Sequence, residues 1–173
     1  MKKALFAVFA IASLFLVSCA SNKVDHGKVD EKLPEWVMEE PKSPDGVYAT
    51  GVGKMADLVT SKKMAQADAL NNLARKVNTM VKDVTQTMIS SSETHSIKGF
   101  EENAQQVAEA SLSGYEQKDY YIAKDDTVYV LLFIPYESQV SQLNKLAEDY
   151  DIPAEYLVSQ AKMQEAYERL FKN

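Results

Sequence analysis

The chain has 173 residues, 46% of them hydrophobic and 25% charged, with 19 basic against 25 acidic side chains and a formal net charge of −6. That balance argues against a broad phosphate-neutralising surface, so nucleic acid is not expected as a partner. The single cysteine, Cys19, excludes an internal disulfide, and stability must come from an apolar core.

Lys2 and Lys3 precede an apolar run from Ala4 to Val17, which ends in Leu16-Val17-Ser18-Cys19. A cationic start, a short apolar stretch and a small residue before the cut describe a secretory signal peptide, and the run is too short to span a bilayer comfortably. Leu16 to Cys19 resembles a bacterial lipobox. The resemblance implies cleavage between Ser18 and Cys19, leaving Cys19 as an N-terminus with an S-diacylglycerol group and an N-acyl chain of the palmitate type. At about 0.8 kcal/mol per CH₂ moved into lipid, two or three chains would fix the protein to a membrane without spanning it. Ala20 rather than Asp follows the cysteine, which by resemblance to the sorting rule of many double-membraned bacteria favours the outer over the inner membrane. Removal of residues 1–18 takes away two Lys and no acid, giving 17 − 25 = −8. The 155 residues left suit one domain, which would bury roughly two-thirds of the surface its unfolded chain exposes.

From Ala20 to Lys32 apolar residues are few and charges mixed, the composition of a flexible tether. It ends at Leu33-Pro34-Glu35-Trp36-Val37, where the only Trp is expected to plug the domain edge. After a polar stretch containing Pro41, Pro44 and Gly46, Val47 to Val52 has the β-branched and aromatic content of a first strand. Asp57 is placed to cap a helix whose apolar face is Leu70, Leu73, Ala74, Val77, Met80, Val81, Val84 and Met88. Run to about Ile89, it would be roughly 50 Å long. Ala65, Ala67, Ala69 and Ala74 would let its first half approach a sheet closely.

Ser90 to Ser96, with side chains that compete for backbone hydrogen bonds, reads as a loop or a frayed helix end. Phe100, Ala104, Val107, Ala108 and Leu112 mark a second helix, stopped by Ser113-Gly114. Tyr115–Ala123 and Thr127–Ile134 read as a hairpin joined by Lys124-Asp125-Asp126, with Val128–Ile134 apolar on both faces and therefore the most buried strand. Beyond Pro135, Tyr136, Val140, Leu143, Ala147 and Tyr150 mark a third helix. Asp151-Ile152-Pro153 would start a fourth, with Tyr156, Met163, Tyr167 and Leu170 as its apolar stripe. The expected architecture is α+β: a small antiparallel sheet, made of one N-terminal strand plus a hairpin, packed by a long helix, with additional C-terminal helices.

The order Pro34-Glu35-Trp36, then Tyr48-Ala49-Thr50-Gly51-Val52-Gly53, then an Ala-rich helix holding Asn72-Leu73-Ala74, then Tyr129-Val130-Leu131-Leu132, resembles the LPP20 lipoprotein family. The resemblance implies a small α+β envelope domain over 33–135 with no established catalytic centre, preceded by the signal (1–18) and the lipidated tether (19–32). It also implies kinship with a domain of a periplasmic flagellar assembly protein. Residues 136–173 depart from the simplest pattern and are expected to form a helical extension covering the sheet or a partner surface.

Motifs that could carry chemistry are sparse. Gly51-Val52-Gly53-Lys54 lacks the Gly and the Ser/Thr of a phosphate loop, at Tyr48 and Met55, and no acidic second strand supports dinucleotide binding, so the glycines are expected to shape the strand exit. The imidazoles are His26 in the tether and His95 in the Ser-rich stretch, and no nucleophile elbow surrounds Ser90, Ser91 or Ser92. Lys124-Asp125-Asp126-Thr127 offers two adjacent acids, too few for calcium, and paired Cys or His for zinc are missing from the sequence. No catalytic residue, metal ligand or cofactor is therefore expected. The leading expectation is a non-enzymatic, lipid-anchored envelope protein that binds another envelope component as an assembly or scaffolding module. One alternative is an enzyme acting on cell wall or lipid, which would need acids such as Asp68, Glu109 and Asp119 to converge. Another is a small-ligand or lipid carrier with an apolar cavity. An exposed aromatic face around Tyr115, Tyr120, Tyr121 and Tyr129 could also bind protein or glycan.

Overall fold

A computed structural model of the chain describes residues 32–92 and 97–171, which fall in one compact unit spanning Glu31–Asn173. The elements follow in the order α1 (Glu35–Met38), β1 (Gly46–Gly53), α2 (Leu58–Ser92), α3 (Ile97–Ser111), β2 (Glu116–Ile122), β3 (Val128–Pro135), α4 (Tyr136–Asp149) and α5 (Gln160–Phe171). A 3₁₀ turn ends α3 at Leu112–Gly114 and another, Ala154–Tyr156, precedes α5. The three strands form one antiparallel sheet in the order β1-β3-β2. The fold is the expected α+β arrangement.

β3 is central because it alone is apolar on both faces, and no residue of it is exposed. β2 is a charged edge strand, exposed at every position except the half-buried Tyr121, with a register shift between Gln117 and Asp119. Cross-strand partners share a face of the sheet. Val128, Val130, Leu132 and Ile134 of β3 therefore point the same way as Val47, Ala49, Gly51 and Gly53 of β1, and this is the face on which α2 lies.

α2 has 35 residues, about 52 Å at 1.5 Å per residue. Asp57 starts it as expected, accepting from Thr60 N (2.9 Å) and Thr60 Oγ1 (2.7 Å). These bonds, the side-chain one foremost, hold the Asp57 carboxyl below its ordinary range. Its apolar stripe is buried from Ala65 and Ala69 through Leu73, Val77, Met80 and Val84 to Met88. The glycines of β1 set how close the helix comes. A Cβ on Gly51 would lie 2.0 Å from Ala69 N, and one on Gly53 would lie 2.3 Å from Ser61 O. They serve helix-on-sheet packing inside the strand rather than shaping its exit.

Two further expectations are corrected. Ser90–Ser92 continue α2 instead of breaking it, and the Ser90 hydroxyl donates to Gln86 O (2.7 Å), so its hydrogen bond is spent within the helix. Asp151-Ile152-Pro153 ends α4 rather than starting a helix. Asp151 adopts φ 54°, and the N–H groups of Asp151 and Ile152 turn back to Glu148 O and Ala147 O, the left-handed close of a helix C-terminus. α5 begins only at Gln160, where Lys162 N donates to Ser159 Oγ (3.2 Å). The linker is fixed by Asn144, whose amide donates to Val158 O (2.9 Å) and accepts from Val158 N (2.8 Å).

α3 packs on α2, α4 on α3, and α5 on both α2 and α4. Tyr136 is fully buried at the start of α4, where burial first, then Tyr167 and Glu168, push its phenol well above the usual tyrosine range.

Candidate binding surfaces

The lipidation site proposed at Ser18 and Cys19 lies outside the described residues, as do His26 and His95. Among the residues described, no group of three or more His, Cys, Asp or Glu is arranged to hold a metal ion, and no helix is long and apolar enough to cross a membrane.

Asp68, Glu109 and Asp119, the acids an enzyme reading would need together, occupy three separate places. Asp68 accepts from Val52 N (3.0 Å) at the outer edge of β1. Asp119 stands on β2, two strand positions across the sheet, a span of about 10 Å at 4.8 Å per strand. Glu109 is exposed on α3. The first two are engaged in holding backbone and side chains, so this set offers no paired carboxylates at a common substrate.

Asp68 belongs to a row that sequence reading passes over as a solvated helix flank. Asp68, Asn72 and Lys76 recur at four-residue intervals along α2 and line up against the free edge of β1. Asn72 Nδ2 donates to Thr50 O (2.8 Å) and Lys76 Nζ to Tyr48 O (2.9 Å). Glu40, ion-paired with Lys76, accepts from Thr50 N (2.8 Å). Four backbone groups that a strand edge would present to another chain are thus bonded internally.

The face of the sheet away from α2 carries Trp36. Thr50, Leu131 and Asp119 sit opposite one another across the three strands, and Trp36 bridges that row. Its Nε1 donates to Asp119 Oδ2 (3.0 Å) and its carbonyl accepts from Thr50 Oγ1 (3.5 Å). The indole is a strap over the sheet rather than a plug at its edge, and Leu131 beneath is 4% exposed. Beside it, Tyr48 and Phe133 rings lie 4.7 Å apart and Tyr121 and Tyr129 6.4 Å apart. The hairpin tyrosines do not form one surface. Tyr120 points to the α2 side under Lys62 Nζ, 4.5 Å from the ring centre, and Tyr115 OH meets Gln66 Nε2 at 3.5 Å.

A surface groove of about 550 Å³ lies between α2 and α3, with Val81, Ala104, Lys82, Glu101 and Glu102 among its lining. Its mixed, charged lining differs from the apolar enclosure a lipid carrier would need. Asn78 and Thr85 also line it, and among the described residues Asn78 Oδ1 and Thr85 Oγ1 are buried without a hydrogen-bond partner.

At the turn end of the hairpin, Asp126 adopts φ 62°, and Lys54 pairs with Asp125. That pairing, then the bonds from Thr127, hold the Asp125 carboxyl at about 2. The two acids are engaged in the turn, as a polar hairpin requires.

The family model for LPP20 lipoprotein matches residues 34–134. No curated protein matches the chain.

Proposed function

The chain belongs to the LPP20 lipoprotein family, and on that premise we propose that it is a non-enzymatic, lipid-anchored protein of the bacterial cell envelope whose folded domain binds another envelope component. The observation that carries the reading is the order of parts: Leu16-Val17-Ser18-Cys19 stands fifteen residues before the start of the family match. Signal cleavage would leave Cys19 acylated, a tether from Ala20 to Lys32, the domain, and the C-terminal helices packed against it. Ala20 favours the outer membrane.

The separation of Asp68, Asp119 and Glu109 supports binding over catalysis. The partner proposed is another protein of the envelope. Crosslinking in the intact envelope, with the native N-terminal region and in parallel with Cys19→Ser, tests this. Capture of a discrete partner that is lost with the Cys19→Ser chain is the expected result. A crosslinking pattern unchanged by Cys19→Ser, with the chain still membrane-bound, would overturn the anchored-module reading.

A further inference from the structure

We propose that one end of the sheet, built from the β1–α2 connection, the first two turns of α2 and the end of β2, rests on the lipid surface to which the chain is tethered. This inference rests on the lipid-anchor reading. Of the nine large apolar residues exposed among those described, six come from these segments: Met55, Leu58, Val59, Met64, Tyr120 and Ile122. Val59 is 66% exposed, Met64 50% and Met55 48%. Singly exposed apolar side chains are ordinary, whereas a concentration at one end of a domain marks an interaction site.

The structure brings the segments together. Gly53, Val128 and Ile122 form one cross-strand row, Gly53 lies directly under Ser61 and Ala65 of α2, and Lys62 covers Tyr120. The Lys54–Asp125 pair joins the β1–α2 connection to the hairpin turn at the same end.

Two features select a bilayer as the occupant. The first is proximity. Ala20 to Lys32 can extend no further than about 45 Å at ~3.5 Å per residue, and the chain enters the folded unit near this end, since Trp36 is bonded to Thr50 and Asp119, within three residues of Val52 and Ile122. A tether of that length makes contact with the membrane intramolecular, so a contact too weak to hold a free protein is populated. The second is chemistry. Long aliphatic and thioether side chains are flanked by Lys62 and Lys63, whose stems can lie along apolar surface while the ammonium groups stay at headgroup level. Asp57 and Asp125 lie nearby, so the local charge is nearly balanced and apolar burial, rather than anionic lipid, would drive the contact.

The sole cysteine makes the test direct. The chain from Cys19 onward, with Glu31–Asn173 intact, is coupled through that thiol to a maleimide lipid. The vesicles are of phosphatidylethanolamine and phosphatidylglycerol and contain a diazirine-tailed phosphatidylcholine. Because the coupling replaces biological acylation, the result does not depend on whether cells lipidate Cys19. After illumination, lipid adducts mapped by mass spectrometry are expected to concentrate in 52–64 and 120–122. Leu58→Glu with Val59→Glu, both solvent-facing substitutions, should lower them about tenfold with circular dichroism and urea midpoint unchanged. Adducts spread evenly over the domain, or a domain without adducts in 52–64 and 120–122, would overturn the proposal.

Discussion

The outer edge of β1 and the outer edge of β2 belong to one three-stranded sheet and are treated in opposite ways. Along β1, Glu40, Asp68, Asn72 and Lys76 bond Tyr48 O, Thr50 N, Thr50 O and Val52 N, and two glycines let α2 lie almost on the backbone. Along β2 the helix has moved away, the side chains are exposed, and protection is left to charge (Glu116, Lys118, Asp119) and to a register shift. The difference follows from how α2 crosses the sheet, and it separates a side committed to stability from a side free to meet something else.

Substitutions that break the close side should cost most. Gly51→Val would drive its side chain into the α2 backbone, 2.0 Å from Ala69 N. Overpacking of this kind against backbone is expected to cost about 3 kcal/mol or more, read as a collapse of the urea midpoint. Asn72→Ala removes the donor to Thr50 O and should cost about 1–2 kcal/mol, with increased self-association as the freed edge becomes available. On the far side, Gln117→Thr in β2 should change stability by no more than about 0.5 kcal/mol. If Gln117→Thr proved as costly as Asn72→Ala, the contrast between the edges would fail.

These contrasts were only partly legible in the sequence. The stripe from Leu73 to Met88, the cap at Asp57 and the double-faced apolar run of β3 are local patterns with a fixed period, and each became the expected element. Asp68, Asn72 and Lys76 also have helical period, but a polar flank reads as solvated until the neighbouring strand is known. The same is true of Gly51 and Gly53, whose purpose depends on Ala65 and Ala69 meeting them from another element. Trp36 stands out as the only Trp, yet its partners, Thr50 and Asp119, are 14 and 83 residues away. Asp151 misled because proline two residues later suits a helix start, while the left-handed turn that closes α4 is decided by its backbone bonds. The proposed lipidation site is the reverse case, resting wholly on the order of residues at Leu16 to Cys19.

Two smaller effects sharpen the picture. Thr85 is 1% exposed with its hydroxyl unpartnered. Thr85→Val keeps the shape, removes the buried polar group and should stabilise by about 1 kcal/mol, measured by urea denaturation. The pairing of Lys54 with Asp125 is more than half exposed on both partners, so its signature is sought in titration. The folded Asp125 carboxyl, at about 2, lies below its value of 3.8 in the unfolded chain. Its contribution to stability is therefore present above about pH 4 and lost as pH falls toward 2. Lys54→Ala should raise the carboxyl resonance midpoint by NMR toward the ordinary value. A midpoint unmoved by Lys54→Ala would remove that link between the β1–α2 connection and the hairpin turn.

The measurement that bears most directly on the anchored-module reading is the mass of the N-terminal peptide of the full chain, expressed in a bacterium with its own first nineteen residues and recovered from the membrane fraction. A peptide that begins at Cys19 and carries diacylglyceryl and acyl mass is expected. A peptide with a free Cys19 thiol, or one that begins elsewhere, would contradict it.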